Sequence, residues 1–338
     1  MKALVKFARG ANHIEVREVE KPKAEDDEVM IKVISAGVCG TDLHIKSGEW
    51  PLKKFPVVVG HEFSGEIVEV GKNVKDFKIG ELVVAEPYVD VCGTCEYCLT
   101  GLRHVCLNRG KRDKNIGAFA EYTVVPANHL HRVPKGITPD EAALAEPTAI
   151  VCHAVIEKGL ISCNDYVAVV GPGPIGILSA QVARAAGARE VAVIGIRPDR
   201  EIRLKVCQDL GFTTYEAEDV DVIQSLKGEF DFVVETSGNA KGIQLAIELA
   251  KKEKKIVVIG IPMEDFTLVP WAKATFQSIN IIFSFSSGYK AWELALSLIG
   301  SQKIKLKPLI THRMPLLDWE EAFIALEKGK GIKAVLHP

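Results

Sequence analysis

Asp165-Tyr166-Val167-Ala168-Val169-Val170-Gly171-Pro172-Gly173-Pro174-Ile175-Gly176 decides the fold class of this chain. A run rich in valine ends in Gly-x-Gly-x-x-Gly, and an apolar helical pattern follows directly from Ile175 to Ala186. Buried strand, glycine turn and helix in that order are the opening of a unit that holds a dinucleotide. Gly171 makes the tight turn, and Gly173 lets the backbone approach a pyrophosphate. Pro174 and Ile175 open the helix, and Gly176 permits close helix–strand packing. The first N–H groups of that helix then face the phosphates. An ordinary strand–helix turn is the alternative if the glycines stand without this context.

Downstream of the glycine turn the pattern repeats. Val191–Ile196 reads as a strand, Asp199–Leu210 as a helix closed by Gly211, and Asp231–Thr236 as a strand. Lys241–Ala250 reads as a helix and Lys255–Ile261 as another strand. This alternation predicts an α/β domain with a doubly wound parallel sheet. Before residue 148 the texture differs. Met30–Ser35, Ser64–Val70, Glu81–Ala85 and Glu121–Val125 are short, β-branched and bounded by Gly, Pro or Asp, which predicts an irregular β-domain. After about residue 290, Ala291–Ile299 and Trp319–Glu327 read as helices, and a strand-like Lys-Ala-Val-Leu-His-Pro closes the chain. Pattern alone does not place that tail.

The end of the second strand bears on cofactor choice. An acid that binds the adenosine ribose is expected there. Gly195, Ile196 and Arg197 stand in its place, and no acid comes before Asp199. A missing carboxylate removes the repulsion against a 2′-phosphate, and Arg197 or Arg200 is the matching cation. The pattern points to NADP over NAD; two arginines decorating a solvated loop is the other reading, and NAD or dual use stays open.

Four of the eight cysteines crowd into Cys92, Cys95, Cys98 and Cys106, a C-x2-C-x2-C-x7-C spacing. Such short spacings let one loop wrap four thiolates around a zinc ion, and a site with four thiols leaves no position for water. That is a structural site. In a reducing compartment clustered thiols hold metal more often than they form disulfides. A nucleic-acid-binding zinc module would need a finger helix with a histidine pair. None follows the basic loop between Arg103 and Lys114.

Cys39, His61 and Glu62 offer a thiolate, an imidazole and a carboxylate from two glycine-rich segments. Three protein ligands and one exchangeable position are the logic of a catalytic zinc. On spacing alone, a buried thiol beside a satisfied core histidine is an equal reading. The motifs together say more. Cys39-Gly40-Thr41-Asp42-Leu43-His44, Gly60-His61-Glu62-Phe63-Ser64-Gly65, the cysteine quartet, Gly-Ala-Phe-Ala-Glu-Tyr at 117–122, Ala145-Glu146-Pro147 and the glycine fingerprint occur in this order. Over essentially the whole chain they resemble the zinc-containing medium-chain dehydrogenase/reductase (alcohol dehydrogenase) family. Gly-His-Glu and Glu-Pro resemble its polyol (sorbitol-type) and threonine dehydrogenase branch; the other branch places a cysteine where Glu146 stands.

The resemblance implies a GroES-like catalytic domain over residues 1–147 with a structural zinc lobe, and a Rossmann domain over 148–289. Residues 290–338 would return to the first domain, with the active site in the cleft between domains. It implies Cys39, His61 and Glu62 as ligands of a catalytic zinc, with Glu146 as fourth ligand or as partner of the zinc water. Asp42 would hold the far ring nitrogen of His61, and Thr41 and His44 would relay the proton. Two zinc ions per chain are expected. The implied activity is hydride transfer between a secondary alcohol, of polyol or sugar origin, and NAD(P). A threonine 3-dehydrogenase-like oxidation is one alternative, and a non-catalytic dinucleotide binder with only a structural zinc is another. Glu49 and Trp50 could face substrate or simply pack a loop. Phe283-Ser284-Phe285 lacks the arginine of sorbitol-type enzymes, which turns the expectation away from sorbitol itself.

Composition bounds the partners. The 338 residues are enough for two domains. A net charge of −2 gives no field for nucleic acid or anionic lipid. The longest apolar run, Ile279–Phe285, is too short for a membrane span and contains Asn280 and Ser284. No secretory h-region follows Met1. The expectation is a cytoplasmic homo-oligomer, dimer or tetramer, acting on a small alcohol or ketone.

Overall fold

Alternating apolar residues build the first part of the chain into strands. These are β1 (Lys2–Lys6), β2 (Ile14–Glu18), β3 (Glu28–Gly37), β4 (Val57–Val58), β5 (Glu62–Val70), β6 (Leu82–Ala85), β7 (Tyr122–Pro126) and β8 (Leu130–Arg132). Then follow β9 (Tyr166–Val170), β10 (Glu190–Gly195), β11 (Thr213–Glu216), β12 (Phe230–Glu235), β13 (Ala250–Val258) and β14 (Asn280–Phe283). The chain closes with β15 (Ile310–Pro315) and β16 (Lys333–His337). The computed structural model describes residues 1–52, 54–87, 91–109, 117–264 and 266–338. The basic loop between Arg103 and Lys114 lies outside the described residues from Gly110 onward.

The described residues divide into two compact units. One is Met1–Glu146 with Gly288–Gly300 and Ile310–Pro338; the other is Pro147–Ser287 with Ser301–Leu309. The first unit holds two sheets. β2-β1-β4 is antiparallel, and the larger sheet runs β15-β16-β3-β5-β6-β8, with β7 also on β3. β16 pairs antiparallel with β3 through Val335↔Gly37 and Leu336↔Ala36. The C-terminal strand is thereby seated beside the segment that leads into Cys39. The helix Trp319–Glu327 follows the same logic. Its buried residues Trp319, Ala322, Phe323 and Leu326 recur at i, i+3, i+4 and i+7, one face of a helix. That face enters the core formed by Leu4, Ile31, Phe63, Ile67 and Phe119. Burying each large side chain there contributes roughly 1.5–3 kcal/mol.

The second unit carries a six-stranded sheet in the order β11-β10-β9-β12-β13-β14, all neighbours parallel. Numbered from β9, this order is 3-2-1-4-5-6, the doubly wound arrangement of dinucleotide-binding sheets. β9 is buried along Val167–Val170, as expected for a central parallel strand covered on both faces. The glycine turn has the predicted geometry. Gly171 has φ +102, a left-handed conformation that a side chain resists. A Cβ on Gly176 would lie 1.8 Å from Gly171 O, whereas one on Gly173 would meet nothing within 4 Å. The helix Pro174–Ala185 starts on Gly173, with Pro174 in its first turn. No helix among the described residues is long and apolar enough to cross a membrane.

Candidate active site and metal centres

The short helix Gly40–Ser47 presents the first metal-ligand type. Cys39 is its N-cap, and Asp42 in the first turn accepts the Cys39 N–H at 2.8 Å. That bond fixes the cap and holds Asp42 beneath it. Across the sheet, Gly60 has φ +89, and a Cβ there would lie 2.7 Å from Phe119. Only glycine fits this turn, which delivers His61 and then Glu62 at the start of β5. Cys39, His61 and Glu62 end with their ligand atoms all within 4.8 Å of one another. Asp42 Oδ1 has no hydrogen-bond partner and stands 3.8 Å from His61 Nδ1. Thr41 Oγ1 is 3.7 Å from Cys39 Sγ. His44 lies one turn further out, with Nδ1 2.8 Å from Glu49 Oε2. Trp50 packs against the core of the first unit, and Glu49 serves His44 and Ser47. Both are thus engaged locally.

Glu146 begins the helix Ala145–Cys152 and is buried. It lies outside the set whose ligand atoms converge within 4.8 Å, yet its charge reaches His61 and Glu62. Burial pushes its carboxyl up to about 7, with His61 pulling the other way. For His61 burial acts downward, but a hydrogen bond with Cys39 and the charges of Cys39, Asp42 and Glu146 outweigh it. Its imidazole titrates well above the usual value. Asp42 is raised, chiefly by burial. Burial thus raises the carboxyls of Asp42 and Glu146, while the acidic neighbours Cys39, Asp42 and Glu146 raise the His61 imidazole against its burial. Such a donor set fits a divalent cation, whose charge the site needs and whose preferred N, O and S ligands it offers.

One residue of this site had no signal in the sequence. Lys333, at the start of β16, is buried and reaches Glu62 Oε1 at 2.8 Å and Oε2 at 2.6 Å, and donates to Val38 O at 2.9 Å. It is the ammonium that fixes the Glu62 carboxylate.

The cysteine quartet forms a second centre. Cys92 Sγ is 3.6 Å from Cys106 Sγ and 4.0 Å from Cys98 Sγ, and Cys95 Sγ is 3.8 Å from Cys106 Sγ. Four sulfurs at 2.3 Å from one tetrahedral zinc are about 3.8 Å apart. The spacing fits that ion, and all four cysteines are free thiols. Hydrogen bonds from Asn108 and from the backbone at Thr94 and Cys95 bring the Cys92 thiol down to about 5, whereas burial sends Cys98 up to about 12.

In the second unit, Gly171, Gly173, Gly195, Asp199, Glu218 and Thr236 are among the walls of a cavity of about 750 Å³. Arg200 is drawn elsewhere, its guanidinium paired with Glu216 at 2.5 and 2.8 Å. Gly195 has a packing reason to be glycine, because a Cβ there would lie 2.8 Å from Pro172 Cγ and 3.0 Å from Leu204 Cδ2.

Residues 25–135 match the alcohol dehydrogenase GroES-like domain, and residues 174–301 match the zinc-binding dehydrogenase family. A sorbitol dehydrogenase of Halalkalibacterium halodurans is 36% identical over 345 residues, covering 100% of this chain and 99% of the relative. The chain belongs to the zinc-containing medium-chain dehydrogenase/reductase family. An L-threonine 3-dehydrogenase of Bacillus subtilis is also 36% identical, over 350 residues, again covering 100% and 99%. Among solved structures, a zinc-binding dehydrogenase of Sinorhizobium meliloti bound to NADP superposes with a TM-score of 0.89 at 28% identity, covering 100% and 99%. The protein is thus a zinc-dependent alcohol/polyol dehydrogenase with a GroES-like and a Rossmann-type domain, using zinc and a nicotinamide cofactor. The reading as a non-catalytic dinucleotide binder falls away.

Proposed function

We propose that this enzyme transfers a hydride between a secondary alcohol of a polyol or sugar-derived substrate and NAD(P), with the chemistry centred on Cys39, His61 and Glu62. The convergence of those three unlike ligands within 4.8 Å, with Lys333 fixing Glu62, carries the reading. In this reading the first unit is the catalytic domain and the second binds the dinucleotide. Cys39, His61 and Glu62 hold the catalytic zinc, with Glu146 as fourth ligand or as partner of a zinc-bound water, and the four clustered cysteines hold a structural zinc. A catalytic zinc supplies Lewis acidity that lowers the pKa of a bound alcohol, and the nicotinamide accepts the hydride. The chain does the rest. Asp42, beside His61 Nδ1, orients the imidazole. Thr41 takes the alcohol proton at its hydroxyl and passes it outward. His44, partly exposed and anchored by Glu49, exchanges it with solvent.

Turnover on a panel of polyols, sugar alcohols, amino acids and simple secondary alcohols tests the substrate class. Polyols are expected to give the highest kcat/KM. L-Threonine as the best substrate would instead establish the second reading, which the equal identity to a threonine dehydrogenase supports. Metal content tests the sites: elemental analysis of fully loaded protein gives about two zinc ions per chain. A reproducible value near one removes one of the two centres.

For the cofactor, NADP is read as favoured over NAD, because Gly195 carries no carboxylate at the end of β10 and Arg197 stands beside it. Arg200, the other candidate cation, is held by Glu216 in this structure through an exposed ion pair. A cytoplasmic homo-oligomer remains the expected form. β14 is an edge strand of its sheet, and Phe283 on it is 64% exposed, with Phe276, Leu268 and Phe266 nearby in sequence still more exposed. An open edge flanked by apolar side chains invites a second copy. Phe283→Arg is expected to shift the sedimentation of the wild-type dimer or tetramer towards smaller species; an unchanged profile excludes this edge as the interface.

A further inference from the structure

The sequence places no acid where the adenosine ribose is read, and the fold supplies one from another strand. β11 lies parallel to β10, with Gly195 opposite Glu216, and Ala217 N–H donates to Gly195 O at 2.8 Å. This register carries the chain past the end of β10 just as β11 finishes. Glu218, two residues beyond Glu216, arrives there. Both its carboxylate oxygens accept the backbone N–H of Arg197 at 3.1 Å, and Glu218 lines the same cavity as Gly171, Gly173 and Gly195.

The other acid of that wall is already spent. Asp199 is buried; one oxygen accepts the Ile196 N–H at 3.1 Å and the other accepts from the Arg203 guanidinium at 3.2 Å. It shapes the turn after β10. Glu218 is exposed, and a carboxylate has about four acceptor sites, so the shared N–H of Arg197 leaves capacity for further donors.

We propose that Glu218 is the specificity residue for the adenosine ribose: its carboxylate accepts hydrogen bonds from the ribose hydroxyls and repels a 2′-phosphate. The inference rests on reading this cavity as the dinucleotide site. Wild-type preference is then a balance between Glu218, which favours NAD, and the cations that favour NADP: Arg203 and Lys241 in the cavity wall, and Arg197 at the end of β10. Mutating Gly195 is the less direct test, because a side chain there displaces Pro172 and Leu204 as well as adding its own charge. Glu218→Gln is the direct one, since the amide oxygen still accepts from Arg197 N while the charge is gone.

The measurement is kcat/KM for NAD and NADP with the same alcohol, together with Kd for NADH and NADPH by fluorescence. Glu218→Gln is expected to raise the NADP/NAD ratio of kcat/KM about tenfold, with the change carried by KM. Glu218→Ala moves the ratio in the same direction, so the result does not hang on one variant. A ratio within about twofold of wild type in both variants, with both dinucleotides still bound, overturns the role of Glu218 and leaves the cavity assignment standing. Failure of the wild type to bind either dinucleotide overturns the cavity assignment itself, and the inference with it.

Discussion

Cys39→Ala and His61→Ala are expected to lower kcat by at least about 10³-fold, equivalent to about 4 kcal/mol of transition-state stabilisation. Each removes one of the three side chains whose ligand atoms converge within 4.8 Å. The loss is chemical rather than structural. Cys39 caps the helix Gly40–Ser47 through its backbone N–H to Asp42, which alanine retains. His61 is only partly buried and sits at the edge of β5. Circular dichroism should therefore stay near wild type while zinc content falls from about two towards one. The Lewis acid is worth several kcal/mol, which no other group near Thr41 replaces. Near-normal kcat in Cys39→Ala with full metal content would place the chemistry elsewhere.

The features legible in the sequence were the local ones. The glycine turn, the cysteine quartet and the pairing of His61 with Glu62 are each set by residues close together in the chain, and backbone geometry leaves few other ways to arrange them. The alternation from β9 to β13 was equally readable, because buried parallel strands are continuous apolar runs. β11 was not. Its residues Thr-Thr-Tyr-Glu are half exposed, without the apolar signature of a central strand. Missing β11 hid two charges. Glu216 pairs with Arg200, one of the two cations that the sequence offers to a 2′-phosphate, and Glu218 brings a carboxylate beside the end of β10. Gly195 also has a packing role that the sequence does not show, because a side chain there would press on Pro172 and Leu204. The elements of the tail were readable, but their placement came only from the resemblance, for a different reason. β16 finds its partner β3 about 300 residues away, and no local pattern records such a pairing.

Lys333 is the sharpest case of such a long-range contact, and its removal should have the second large effect. The residue is 2% exposed, and its ammonium bonds Glu62 and Val38 O. Lys333→Met keeps the apolar stem but leaves a buried carboxylate and a buried carbonyl without their donor. Breaking one side of a buried ion pair costs about 3–5 kcal/mol. Zinc-free protein is expected to lose about that much stability in urea. Zinc-loaded protein should lose less, because a cation bound by Glu62 answers the same charge. The double variant Lys333→Met/Glu62→Gln separates the ion pair from simple packing. With the negative charge also gone, no unpaired ion remains, so the double variant should be more stable than Lys333→Met alone although it carries one more substitution. Strictly additive losses in the zinc-free protein would mean that the Lys333 ammonium and the Glu62 carboxylate do not depend on each other.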